Sequence, residues 1–275
     1  MLLDTGKEQI PLVIPEGIAL EIVHPPAGNP VPDAEGEIAR ALNAPVCTPR
    51  LEQLAKPGMK AALMVCDNTR YVPLPLILPQ VLERLNCAGI PDCDITIVIA
   101  CGLHAPMSER AIDEMLGTDI TKRVRAINHD ARDPTKLMYF GESAVMRAPV
   151  YLNRTVAQAD LRIGIGTVDP HIFAGYSGGV KILSVGCAGE KTIAATHNAR
   201  VMEDDETKFG DIRNNTFRLL LDETERYCPI HFLINVVQDD HKRLIGAYCG
   251  DTHAAYKQAV DNAKTKNSQP IEDRM

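Results

Sequence analysis

Residues 161–198 read LRIGIGTVDPHIFAGYSGGVKILSVGCAGEKTIAATHN. The run from Leu161 to Gly166 has the length and apolar character of a buried strand, and a glycine-rich turn follows it. In Gly175-Tyr176-Ser177-Gly178-Gly179 the missing Cβ atoms let successive backbone N–H groups turn toward one point, the way a phosphate or another anion is cradled. Lys181 stands within reach of whatever sits there. From Ala188 to Asn198 the pattern predicts a helix opening after Gly189, with His197 near its end. A packed core does not want this density of glycine and polar reactive groups. On these residues alone the stretch reads as an anion site with a lysine beside it, or as a glycine turn and a helix with one surface histidine.

The flanking chain repeats the alternation. Apolar runs at Ala61–Cys66 and Ile95–Ala100 predict buried strands. Pro75–Leu85 has helical periodicity and stops before Gly89, a helix is expected around Ser108–Leu116, and strands at Val124–Ile127 and in pieces between Leu137 and Leu152. A helix capped by Asn214 or Asn215 runs to about Tyr227, Ile230–Val237 and Leu244–Tyr248 pair about an Asp-Asp-His-Lys turn, and a helix capped by Asp251 runs to about Lys266. Earlier, two short strands flank Pro15-Glu16-Gly17 between Ile10 and Val23 and end at His24-Pro25-Pro26. Short helices follow at Ala34–Leu42, capped by Asp33, and at Leu51–Leu54. Strands alternating with helices imply an α/β domain with a mainly parallel, Rossmann-like sheet and helices on both faces.

Polar groups fall at the ends of those strands. Asp67-Asn68-Thr69-Arg70, Gly102-Leu103-His104, His129-Asp130 and Asp169-Pro170-His171 each follow an apolar run. In open α/β sheets ligands bind beyond the carboxyl ends of the strands, so the four loops are expected to converge on one cleft. For Asp67 and Arg70 the alternative is a helix cap and a solvated charge. Cys101 and His104 have a Cys-x-x-His spacing, for which a buried strand-end cysteine beside an unrelated histidine is the preferred reading. The eight cysteines include no Cys-x-x-Cys pair and read as reduced, buried small hydrophobes. His129, His231, His241 and His253 are assigned to structure or solvent.

A formal charge of −7 argues against nucleic acid and against an anionic membrane as partner. Met1–Gln9 is polar and charged, unlike a signal peptide, and no apolar run approaches the ~20 residues of a membrane span. The expected compartment is the cytoplasm.

HIFAGYSGGVK, with a histidine sixteen residues after its lysine, resembles the nickel-dependent lactate racemase family. The resemblance implies a nickel-pincer nucleotide cofactor held covalently on Lys181, contacts to it from Tyr176, Ser177, Gly178 and Gly179, and nickel ligation by His197. His104 and His171 are implied as the two catalytic acid/base histidines. Arg70 would hold the carboxylate of a small 2-hydroxy acid, and Asp67 would orient neighbouring donors. Ser184-Val185-Gly186 stands where the family has a proline-glycine pair, Asn68 where it has isoleucine, and Ala105 where it has a basic residue. The implied reaction is racemisation or epimerisation of a lactate-like acid by proton-coupled hydride transfer to the cofactor. Two imidazoles on opposite sides of the substrate suit such a near-symmetric exchange.

The resemblance covers the chain from about Ile10 to its end and only the N-terminal part of the family pattern. The expectation is therefore a cofactor-binding domain over residues 1–266, a polar tail or truncated linker over 267–275, and no second α/β domain. A second-domain polypeptide or self-association would then complete the site. The reading from a different class is a non-catalytic module that binds the nickel cofactor or a nucleotide-like anion.

Overall fold

A computed structural model describes residues 2–4, 8–18, 26 and 28–267. The part of the expected second N-terminal strand from Ala19 to Val23, its terminator at His24-Pro25 and the tail beyond Asn267 lie outside the described residues. The strand expected before Pro15 is Gln9–Pro11, which pairs antiparallel with Leu2–Asp4.

Six strands form the central sheet: β1 (Ala61–Cys66), β2 (Ile95–Ala100), β3 (Arg125–Asn128), β4 (Leu161–Thr167), β5 (Phe232–Gln238) and β6 (Leu244–Gly250). Their spatial order is β6-β5-β4-β1-β2-β3, parallel throughout except where β6 returns antiparallel along β5. Seven helices matter here: α1 (Ala34–Asn43), α2 (Leu74–Cys87), α3 (Glu109–Leu116), α4 (Lys181–Ser184), α5 (Glu190–Thr196), α6 (Thr216–Glu225) and α7 (Thr252–Asn267).

The apolar runs become central strands because both of their faces are covered. Leu63, Val65, Ile97, Ile99, Ile163 and Ile165 pack against α1 and α2 through Ile38, Leu42, Ile77 and Leu82. The alternate residues Ala62, Met64 and Val98 face Ile182 and Leu183 of α4, Ile193 of α5 and Phe217 and Leu221 of α6. Leu233 and Val237 meet Ala255, Ala259 and Val260 of α7. Two helices begin where a side chain takes up free N–H groups. Asn215 Oδ1 accepts from Arg218 N at 2.9 Å, and Asp251 Oδ1 accepts from Ala254 N at 2.9 Å.

The segment 137–153 departs from the main sheet. Leu137–Ser143 and Ala148–Asn153 pair with each other as a hairpin, which is bridged to Ala188 at Leu152 and joins the α5 side of the core. The cysteine reading needs a correction: all eight are free thiols, but Cys47, Cys87 and Cys93 are exposed and only Cys101, Cys187, Cys228 and Cys249 are buried.

What positions the site is register. Cys66 stands beside Ala100, and Val65 beside Ile165, so β1, β2 and β4 end level and their outgoing loops emerge together. The chain steps from β1 outward through β2 to β3, then crosses to the other side of β1 to lay down β4. The gap opened by that reversal, at the carboxyl ends of β1 and β4, is where an open α/β sheet has room for a ligand.

Candidate functional site

A cavity of about 650 Å³ occupies that gap. Asp67, Thr69 and Arg70 enter it from the loop after β1, Gly102 to His104 from the loop after β2, and His171, Ser177, Gly178 and Lys181 from the segment after β4. His197 closes one side from the end of α5, and Asn235 reaches in from β5. Three of the four expected loops therefore converge. The fourth does not: His129 and Asp130 line a neighbouring cavity that shares the Gly102–His104 wall. His129 is buried there, with Nε2 bonded to the Ala188 carbonyl at 2.9 Å and Nδ1 against Asn153 at 3.1 Å, which makes it structural as assigned.

Each of the three histidines at the cavity has a partner that fixes where its ring proton sits. His104 Nδ1 lies 2.6 Å from Asp67 Oδ2. A carboxylate only accepts, so Nδ1 donates, and in the neutral ring Nε2 keeps a lone pair. Asp67 is itself buried and is held in place by Thr69, whose hydroxyl donates to Oδ1 at 2.5 Å. His197 behaves alike: its Nδ1 is 3.2 Å from the Ile193 carbonyl and 2.8 Å from Thr196 Oγ1. Burial lowers its pKa and the Lys181 charge adds to this, with the Ile193 carbonyl opposing, so the ring is neutral with its Nε2 lone pair free.

His171 is the opposite case. Its Nδ1 accepts from two backbone amides, Phe173 N and Ala174 N, each at 3.2 Å. Nδ1 therefore carries no proton in the neutral ring, and Nε2 carries it. Burial, followed by the charges of Lys181, Arg70, Arg218 and His197, pushes the imidazolium down to about 3. Nε2 lies 2.6 Å from Lys181 Nζ. Lys181 is drawn down to about 7, first by burial and then by Arg70 and Arg218.

Three residues that sequence reasoning did not single out hold this arrangement. Phe217 is fully buried with its ring 4.9 Å from His197, edge-on, and 6.4 Å from His171, so one side chain spaces both imidazoles. Asn235 is buried in β5 and accepts the Gly179 N–H at 2.9 Å. Arg218, also buried, donates to the carbonyls of Tyr176 at 2.6 Å and Gly178 at 3.3 Å and to the Tyr256 hydroxyl, and lies over the Tyr256 ring. Asn235 left a signal, being the only polar residue between Phe232 and Val237; Arg218 and Phe217 left none.

The glycine turn needs a correction. Tyr176 N donates to the Ala174 carbonyl, Ser177 N to the Asp169 carbonyl and Gly179 N to Asn235, so these amides do not converge on a ligand. Tyr176 and Gly179 are buried away from the cavity lining, and the Ser177 hydroxyl is spent between Thr167 O and Asp169 N. Gly178 and Gly179, at φ +80 and +61, serve instead to fold the chain so that Lys181 enters the cavity. Cys101 lines the same cavity as His104, but its buried thiol is bonded to Asn128 Oδ1 at 3.4 Å.

Fold and cavity define a doubly wound α/β domain whose ligand cleft, at the switch point of its sheet, is lined by a half-buried lysine and three imidazoles. The chain belongs to the lactate racemase N-terminal domain family, whose profile matches residues 5–210. Lactate racemase of Lactiplantibacillus plantarum is 31% identical over 236 residues, covering 86% of this chain and 55% of that protein. Lactate racemase of Thermoanaerobacterium thermosaccharolyticum is 25% identical over 272 residues, covering 97% and 63%. The chain thus spans between half and two thirds of the length of these relatives. Among solved structures, the lactate racemase apoprotein of T. thermosaccharolyticum has the same fold, with a TM-score of 0.82 at 24% identity over 96% of this chain and 62% of that one. A protein from Thermotoga maritima matches with a TM-score of 0.73 at 20% identity, over 90% of this chain and 62% of that one. Among the described residues, no helix is long and apolar enough to cross a membrane.

Proposed function

We propose that this chain is the cofactor-binding part of a racemase or epimerase of small 2-hydroxy acids, with a nickel-pincer nucleotide tethered to Lys181. The observation that carries the reading is the set of opposed proton positions around one cavity: His104 presents a lone pair, and His171 presents an N–H beside an amine.

The residues fit the group. His197 offers a neutral imidazole nitrogen, its other nitrogen being anchored to the Ile193 carbonyl as is usual for metal-bound histidines. Among the described residues no three His, Cys, Asp or Glu side chains converge to hold a metal ion, so nickel on His197 would draw its remaining ligands from the cofactor. Lys181 supplies the amine for the tether, and about 650 Å³ is ample for a mononucleotide. When bound, the group would accept and return the hydride of the hydroxyl-bearing carbon. The chain's own residues do the rest. Arg70 presents a guanidinium with no hydrogen bond or ion pair among the described residues, ready to take a carboxylate in a planar fork. His104 Nε2 takes the hydroxyl proton while Asp67 holds the imidazolium that forms. His171 serves the opposite face.

The cleft is open on one side, since the His104 side chain is 61% exposed. Tyr71, Leu103 and Ile172, each next in sequence to Arg70, His104 or His171, are exposed, and Leu103 lines the cavity. A second domain, on this polypeptide or another, would cover these apolar side chains and exclude water from the reaction.

The test is to make the chain beside the enzymes that build the cofactor and to measure intact mass, nickel content and racemisation of lactate by chiral chromatography. Lys181 is expected to carry the cofactor, and racemisation to be low until a separately expressed second domain is added. Nickel-loaded protein in which Lys181 is always unmodified would overturn the assignment of the tether. Full turnover by the isolated chain would overturn the need for closure.

A further inference from the structure

We propose that in the unloaded chain His171 donates its Nε2–H to Lys181, so that Lys181 waits as a free amine, a nucleophile set for an acyl or thioacyl donor. The inference rests on reading Lys181 as the tether, and it concerns how that bond can form.

Two backbone amides fix the tautomer of His171. Phe173 N and Ala174 N both point at His171 Nδ1, and their hydrogens cannot be moved elsewhere. A proton on Nδ1 would face two others, so the neutral ring must carry its proton on Nε2. At 2.6 Å from Nζ, an Nε2–H needs an acceptor. An ammonium has no lone pair and an amine has one, so the contact admits only the neutral lysine.

The surroundings agree from every side. Arg70, on the loop after β1, and Arg218, on α6, both disfavour a further cation at Nζ, and of the charged groups that act on it only the Cys66 thiol on β1 opposes them. That thiol is itself pushed up to about 11 by burial and by Asp67, and so is uncharged at neutral pH. His197, at the end of α5, is neutral for the reasons given above. The acid that lines the cavity, Asp67, is engaged by His104 and Thr69. A lysine in such a setting reacts by forming a bond from its nitrogen to the acyl carbon. The bond from that carbon to its leaving group breaks, and one amine proton departs with the leaving group. Acylation then removes the lone pair that Nε2–H needs, so the His171–Lys181 contact must be rearranged once the tether is made.

Two measurements on metal-free, unloaded protein test this. Nitrogen NMR of the histidine rings should show His171 as the Nε2–H tautomer at pH 7, and His197 as the Nδ1–H tautomer. Finding His171 as the Nδ1–H form or as an imidazolium would overturn the proposal. Competitive labelling with trace acetic anhydride, read by peptide mass spectrometry, should give Lys181 a half-maximal rate near pH 7, well below that of exposed Lys191. His171→Phe and Arg218→Gln should each move that midpoint to higher pH, and the rate at pH 7 should fall about tenfold for every pH unit the midpoint moves. A midpoint equal to that of Lys191, or one unmoved in both variants, would overturn it as well. Normal labelling and tautomers with failed cofactor loading would count against the tether and leave this inference standing.

Discussion

Gly179→Ala tests whether the turn is shaped for Lys181 by close packing or only by backbone freedom. Gly179 has φ +61, and a Cβ there would lie 2.9 Å from Tyr256 Cγ and 3.0 Å from Cδ2. Tyr256 cannot step aside cheaply, since it is buried, its hydroxyl donates to the Tyr176 carbonyl at 3.0 Å, and Arg218 lies over its ring. Gly58 provides the control: it has φ +85 and nothing within 4 Å of the added carbon. Alanine in left-handed backbone costs ~1–2 kcal/mol at either position. Overpacking against the ring adds ~1–3 kcal/mol at Gly179 alone. Urea unfolding should therefore show Gly58→Ala losing ~1–2 kcal/mol and Gly179→Ala ~2–5 kcal/mol, with acetylation of Lys181 altered only in the latter. Equal losses for the two variants would refute the packing argument.

The lowered pKa of Lys181 makes stability depend on pH. The folded state disfavours the Lys181 ammonium, with a pKa of about 7 against an ordinary 10.5, so the unfolded chain binds more protons between those values and stability rises with pH across that window. Cys66 and Cys101, raised to about 11 from 9, reverse the trend above pH 9, because the unfolded thiols ionise first. Between pH 7 and 9 the wild type should gain roughly 2 kcal/mol in denaturant unfolding that Lys181→Met does not gain. In cofactor-loaded protein, His197→Ala should lower nickel retention, while His104→Ala and His171→Ala keep nickel and lose turnover by ~10²-fold or more. Equal metal loss in all three would undo the division of roles.

The fold was legible because strands covered on both faces read as unbroken apolar runs. Ala61–Cys66 and Ile95–Ala100 have the predicted bounds, and Leu161–Gly166 extends by one residue to Thr167. Reactive side chains beyond their ends were legible for the same reason, since the apolar runs stop at Cys66 and Ala100 and Asp67 and His104 follow. What the residues could not reveal was which strands lie next to each other. β3 sits at the far edge, beyond β2, so its outgoing His129-Asp130 turns into the neighbouring cavity and not toward β4. Nor could the turn Gly175–Gly179 announce where its amides point: three of them find acceptors in Ala174, Asp169 and Asn235, far apart in sequence or unremarkable within it. Arg218 looks like an ordinary exposed helix residue until α6 is laid against the turn.

Arg218 also bears on why the cleft suits an anion. A guanidinium removed from water costs several kcal/mol unless its donors are satisfied and a counter-charge is near. Its terminal nitrogens find carbonyls and a hydroxyl, its Nε has no partner among the described residues, and Asp222 acts on it electrostatically without bonding to it. Its charge also reaches the cavity, where it lowers both His171 and Lys181. Arg70 adds a second guanidinium at the mouth, and Asp67 is the acid that lines the same space, already paired with His104. The chain as a whole carries −7 and repels anions at long range. At short range the sign reverses, since a dielectric boundary strengthens the field of Arg70 in the concave wall and of Arg218 buried behind the turn. An occupant bearing a carboxylate or a phosphate is what neutralises them. On the reading proposed above, the cofactor's phosphate and the substrate's carboxylate divide that task, and a neutral Lys181 is the condition that keeps a third positive charge from competing with the bond it has to make.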